Sequence, residues 1–121
     1  MKKILIVDDS ALMRTSIERV LEGEGDYIFL NAWNGYMALE LIKITTPDLI
    51  LLDNFMPCKL GLQVYNIIRR TKKYKNIPVI FITNEVDKNK LINLNKVEFV
   101  GKPYEDINLI QLVKKYLKGG K

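Results

Sequence analysis

The 121-residue chain contains no histidine and a single cysteine, Cys58. Without histidine there is no Ser-His-Asp or Cys-His nucleophile pair, no His-bearing zinc site, and no general base whose ordinary pKa lies near 7. One cysteine excludes an internal disulfide and a cysteine-cluster metal site, and reads as a loop thiol. Long apolar runs are missing too. The longest, over residues 49–52 and 79–82, fall far short of the ~20 residues that a membrane span needs. Lys2, Lys3 and the apolar stretch behind them imitate the start of a signal peptide, but Asp8 and Asp9 end it too early. A cytoplasmic protein is expected. Carboxylates are left as the conspicuous carriers of chemistry.

What is present describes one domain over residues 1–121. A chain of this size buries roughly two-thirds of its unfolded surface, and at 48% hydrophobic it has the side chains to build a core. The net charge of +5 is uneven: residues 1–58 carry 5 Lys/Arg and 9 Asp/Glu, residues 59–121 carry 14 and 5. A basic half raises the question of nucleic acid. However, 15 of the 19 cations are Lys and they are scattered, which fits a solvated surface better than a nucleic-acid face. The run from Arg69 to Lys75 reads as a solvated helix end.

The punctuation is regular, with no repeat and no linker. Residues 3–7, Lys3 followed by four apolar residues, read as a strand buried on both faces. Met13, Ile17, Val20 and Leu21 then recur at helical spacing, with Ser10 placed to cap the helix and Gly23 and Gly25 to stop it. Residues 27–32 read as a second strand. Ala38, Leu41, Ile42 and Thr45 mark a second helix that must end before Pro47. Residues 49–52 form the third strand, and Leu60, Val64, Ile67 and Ile68 a third helix. Residues 79–82 form the fourth strand, and a short, poorly amphipathic helix is expected near 87–94. Residues 97–100 form the fifth strand, and Leu109, Leu112, Val113, Tyr116 and Leu117 mark the last helix. Alternating strands and helices mean a parallel sheet covered on both faces. Met13, Met37 and Met56 read as packing residues, and Trp33 as partly exposed.

In such a sheet, ligands bind beyond the carboxyl ends of the strands. Those ends carry Asp8 and Asp9 after strand 1, Asp53 after strand 3, Thr83 after strand 4 and Lys102 soon after strand 5. Any one strand-end Asp is an ordinary turn former. Three converging carboxylates repel, by about 4 kcal/mol for a pair 4 Å apart at an effective dielectric near 20, and ask for a cation. A few oxygens with room for water and phosphate suit Mg²⁺. An aspartate beside that ion can attack phosphorus, while Lys102 and Thr83 can each hold a phosphoryl oxygen.

These residues carry a resemblance. Val7-Asp8-Asp9-Ser10, the stretch from Pro47 through Asp53 to Pro57, then Gly61, Thr83 and Lys102-Pro103-Tyr104 resemble the receiver domain of two-component response regulators, single-domain chemotaxis regulators included. The likeness covers essentially the whole chain. It implies a flavodoxin-like (βα)₅ α/β fold, a doubly wound parallel sheet with strand order 2-1-3-4-5. It implies a signalling phosphoacceptor rather than an enzyme with an external substrate. Asp53 would take a phosphoryl group from a histidine kinase or phosphotransfer protein in a Mg²⁺-dependent reaction. The metal set would be Asp9 directly, Asp8 through water, Asp53 and the backbone carbonyl of Phe55. Lys102, ahead of an expected cis bond to Pro103, would contact the phosphoryl group. Thr83 and Phe99 would form the switch that alters the face made by the short fourth helix, strand 5 and the last helix, for an output partner or a C-terminal effector domain. Neither a membrane nor direct nucleic-acid binding is implied.

Three departures qualify the likeness. Asn84 follows the switch threonine, where a small residue is usual, and narrows phosphodonor access. Phe55 stands where many members are polar. Thr83 and Lys102 are 19 positions apart, short by roughly one helical turn. The rival readings are a non-phosphorylated pseudo-receiver, a phosphatase with an Asp nucleophile, and a flavin or dinucleotide binder. Intact Asp8, Asp9, Asp53, Thr83 and Lys102 oppose the first. The second resembles the haloacid-dehalogenase group and needs a second Asp where Phe55 stands. The third needs a glycine-rich or hydroxyl-rich phosphate loop where Asp8 and Asp9 stand.

Overall fold

The computed structural model describes residues 1–53, 61–83, 97–101 and 106–118; for residues 83, 97, 99–101 and 118 this covers the backbone alone. Five strands, β1 (Lys2–Val7), β2 (Tyr27–Ala32), β3 (Leu49–Leu52), β4 (Val79–Thr83) and β5 (Val97–Gly101), alternate with helices. These are α1 (Ala11–Leu21), α2 (Gly35–Thr45), α3 (Gly61–Arg70) and α4 (Asp106–Lys118). All strand pairs are parallel, in the order β2-β1-β3-β4-β5. This is the flavodoxin-like doubly wound sheet expected from the sequence. The short helix expected near 87–94, Asn84, Met56, Cys58 and the bond before Pro103 lie outside the described residues.

The continuous apolar strands work because alternate side chains serve opposite faces. Leu5, Val7, Ile50, Leu52, Val79 and Phe81 join Ala38 and Ile42 of α2 and Val64, Tyr65 and Ile68 of α3 in one core layer. Ile4, Ile6, Leu49, Leu51, Ile80 and Ile82 join Ile17 and Leu21 of α1 and Leu109, Val113 and Leu117 of α4 in the other. Crossovers of one hand require this division. The chain steps from β1 outward to β2, then reverses to β3 and continues to β4. The reversal sends α2 and α3 to the face opposite α1.

Local signals set the helix ends. The Ser10 side chain accepts the Met13 backbone N–H at 3.2 Å and caps α1, and Gly23, at φ +84°, follows its end. Asn34 caps α2 by accepting from Met37 N–H at 2.8 Å. The far end of α2 is less usual. Thr46 caps it in the left-handed region, at φ 45°, where a β-branched residue is strained. Ile67, expected on the buried face of α3, is 37% exposed, while Tyr65 is buried in its stead. Tyr65 packs beside Phe81 with ring centroids 5.9 Å apart. Trp33 is 52% exposed. Met13 and Met37 pack against opposite core layers, as expected.

Candidate functional site

The strand order reverses between β1 and β3, the switch point beyond whose carboxyl ends doubly wound sheets bind their ligands. Both strands end in aspartate. The Asp8 backbone N–H donates to the Ala32 carbonyl at 3.0 Å and the Asp53 N–H to the Val7 carbonyl at 2.9 Å. Each aspartate therefore extends a ladder by one residue, and its position is fixed by sheet register rather than by a free loop. Asp8 and Asp53 are buried and Asp9 is exposed. Carboxylate oxygens of all three lie within 4.8 Å of one another.

Donors from the start of α1 meet Asp8 at both its side chain and its backbone. The Ser10 N–H donates to Asp8 Oδ1 at 2.9 Å, just before the start of α1, whose dipole presents its positive end there. The Arg14 guanidinium donates to the Asp8 carbonyl at 2.6 Å and lies 5.7 Å from the centre of the Trp33 ring. Arg14 thus ties the turn after β1 to α1 and lies against Trp33. Sequence reasoning missed this contact. Its one local signal is that Arg14 stands four residues after Ser10, a turn into the helix, where a long side chain reaches back over the N-terminus.

At an effective dielectric near 20, the buried Asp8–Asp53 pair costs about 3 kcal/mol when both are ionised at this separation. The donor set fits a hard divalent ion. It is all oxygen, comes from two rigid strand ends, and has one exposed member where water ligands can complete a shell.

The structure thus brings together Asp8, Asp9 and Asp53. Thr83 ends β4, paired with Gly101 of β5, and Phe99 pairs with Phe81 two residues earlier. Phe55 and Lys102 lie outside the described residues. Among the described residues no helix is long and apolar enough to cross a membrane.

Comparison with known proteins agrees with this geometry. A family model described as the response regulator receiver domain matches residues 4–114. The chain is 33% identical over 120 residues to the sensor histidine kinase CheAY of Helicobacter pylori, covering 95% of this chain and 15% of that protein. It is 39% identical over 107 residues to a protein-glutamate methylesterase/protein-glutamine glutaminase of Treponema pallidum, covering 84% of this chain and 26% of that one. The chain therefore spans a minor part of both curated relatives. Among solved structures, the signal receiver domain of a signal transduction histidine kinase from Syntrophus aciditrophicus superposes with a TM-score of 0.91 at 31% identity, over 100% of this chain and 93% of that one. With its aspartates at the switch point of a 2-1-3-4-5 sheet, the chain belongs to the response regulator receiver domain family of two-component signalling.

Proposed function

We propose that Asp53 is the phosphoacceptor of this receiver domain and that Mg²⁺ is its cofactor. The observation that carries the reading is the meeting of Asp53 with Asp8 and Asp9 at 4.8 Å or less, on a strand end whose backbone is tied to Val7. An Asp53 carboxylate oxygen attacks the phosphorus of a partner's phosphohistidine. The new P–O bond forms as the P–N bond breaks, and the imidazole leaves with the electron pair. The missing histidine fits this role, because the phosphohistidine belongs to the kinase or phosphotransfer protein.

Asp8, Asp9 and the Phe55 carbonyl would complete the metal set with Asp53. When bound, Mg²⁺ neutralises charge on the phosphoryl oxygens and on the carboxylates. Lys102 holds a phosphoryl oxygen as a point charge, and Thr83 hydrogen-bonds another. β4 and β5 are hydrogen-bonded neighbours, which supports a switch in which Thr83 and Phe99 move together. A change there reaches an output partner or an attached effector domain. The activities in the names of the two curated relatives belong to chains of which this sequence matches 15% and 26%. The signalling role proposed for this domain needs no substrate turnover of its own, and a cytoplasmic location suits it.

The test is intact-mass measurement after incubation with acetyl phosphate. The expected result is one added phosphoryl group with Mg²⁺, none without it, and none for Asp53→Asn. Equal labelling of Asp53→Asn would remove Asp53 from the role. An unlabelled wild type would favour the pseudo-receiver reading instead.

A further inference from the structure

The basic run from Arg69 to Lys75, which the sequence presents as a solvated helix end, lies on the rim of an apolar groove. α2 and α3 stand side by side on one face of the sheet, and their outer surfaces part to leave an open groove of ≈ 520 Å³. Buried Ile42 and Ile68 form its floor, with Tyr36 and Leu39 of α2 on one wall and Ile67 and Tyr74 on the other. Tyr36 is 59% exposed and Ile67 37%. Apolar surface continuous with the core is thus left open to solvent.

The segment after α3 that flanks one side of the groove carries charge of one sign. Residues 69–75 hold five cations and no carboxylate. Arg69 is spent internally: its guanidinium donates to the carbonyls of Lys75 at 3.1 Å and Ile77 at 2.8 Å and lies 4.8 Å from the Tyr65 ring centre. This clamp fixes the turn after α3 and sets its outer residues in place. Arg70, Lys72, Lys73 and Lys75 are exposed. They flank Thr71 and Tyr74, which line the groove, and the Lys73 ammonium stands 5.8 Å from the Tyr74 ring centre. Glu40, the carboxylate among the lining residues, is offset by Lys43 at 3.7 Å.

We propose that this groove docks an acidic amphipathic helix of a partner protein. A groove between two helices accepts a third helix through apolar anchors at i, i+3 or i+4, and i+7. Those anchors enter between Tyr36 and Ile67, and Asp or Glu on the flank of the helix faces Lys72, Lys73 and Lys75. The charges set orientation and on-rate, while the apolar contact holds the complex. A symmetric second copy of this chain fits poorly, because a two-fold contact places the same patch against itself and brings cation against cation.

The experiment titrates ¹⁵N-labelled protein with two synthetic helices sharing leucine at the anchor positions. One carries glutamate and the other lysine elsewhere. The glutamate peptide should shift the amides of Tyr36, Leu39, Ile67, Thr71 and Tyr74. Its affinity should drop about fivefold from low to high salt, and about tenfold in the exposed double variant Lys72→Glu with Lys73→Glu. Ile67→Lys should abolish binding while acetyl phosphate still labels Asp53. The proposal fails if the lysine peptide binds equally, if neither peptide binds, or if the shifts lie elsewhere. It fails as well if the groove amides shift with protein concentration alone, which would mean self-association.

Discussion

Asp53 donates its backbone N–H to the carbonyl of Val7 at 2.9 Å, one step beyond the last β1–β3 register pair, Val7 with Leu52. The residue after each strand is an aspartate, so this bond brings the two carboxylates to one level of the sheet. A register slip of one residue would separate them and would also turn every side chain of β3 to the wrong layer. The core and the site therefore enforce the same alignment.

Relief of repulsion should make the metal-free fold stronger. Asp8→Asn removes one buried charge from the cluster yet keeps an oxygen to accept the Ser10 N–H. We expect urea denaturation without metal to show a gain of about 1–3 kcal/mol. Wild type should gain melting temperature with millimolar Mg²⁺ by linkage, and the variant should gain much less. A wild type indifferent to Mg²⁺ contradicts the assignment of the site.

Adjacent residues of β3 should be equally intolerant of truncation. Ile50 belongs to one core layer and Leu51 to the other, and both are buried. Ile50→Ala and Leu51→Ala should each lose about 2–5 kcal/mol in equilibrium unfolding. A sheet with one wet face would give a large loss for one and a small loss for its neighbour.

Thr46 offers a stabilising change. Its left-handed conformation costs a β-branched residue about 1–3 kcal/mol, whereas glycine adopts it freely at a smaller entropic cost. Its N–H donates to the Ile42 carbonyl at 3.0 Å, and any residue but proline retains that bond. Thr46→Gly should raise stability by about 1 kcal/mol, read as a shift in denaturation midpoint. An unchanged or lowered midpoint would show that the conformation is not strained.

The join between β5 and α4 should depend on pH at both extremes. The Tyr116 hydroxyl donates to Glu98 Oε2 at 2.6 Å, and the Lys115 ammonium reaches the same oxygen at 3.3 Å. The Tyr116 hydrogen bond, ahead of the Lys115 contact, holds the Glu98 carboxyl below its usual range against the opposing effect of burial. Burial first, and then the Glu98 carboxylate, push the Tyr116 hydroxyl up to about 12. The depressed Glu98 contributes stability above its unfolded pKa and loses it as pH falls through the folded value. The raised Tyr116 contributes fully below its unfolded pKa of 10.0 and loses that contribution as pH climbs toward about 12. Tyr116→Phe should cost about 1 kcal/mol at neutral pH and less in acid, where protonated Glu98 leaves only a neutral hydrogen bond to lose. Side-chain NMR should show Glu98 titrating at higher pH in the variant. Identical Glu98 titration curves would rule the hydrogen bond out as the cause.

The sequence by itself determined the described strands and helices and singled out the candidate carriers of chemistry. Period-two burial on both faces needs uninterrupted apolar strands, and residues 49–52 are such a run without reference to any partner. Ser10 caps α1 through a bond three residues long, so its effect is visible in the sequence alone. Absent histidine left the aspartates as the candidate reactive groups, and their places at strand ends followed from the alternation. Tertiary structure decided whatever depends on distant segments sharing a surface. The lateral order of strands brought Asp53 to Asp8, and the fold of the turn after β1 placed Arg14 between the Asp8 carbonyl and Trp33. Ile67 matched the helical period of a buried residue but stands at the edge of the α2–α3 pair, because periodicity marks a face and not how far the neighbouring helix reaches over it. The same packing turned a run of lysines into the rim of a groove, and set Tyr116 on Glu98 across 18 positions of chain. No local pattern encodes those pairings: each is a product of register and helix packing, which are settled only when the two core layers close.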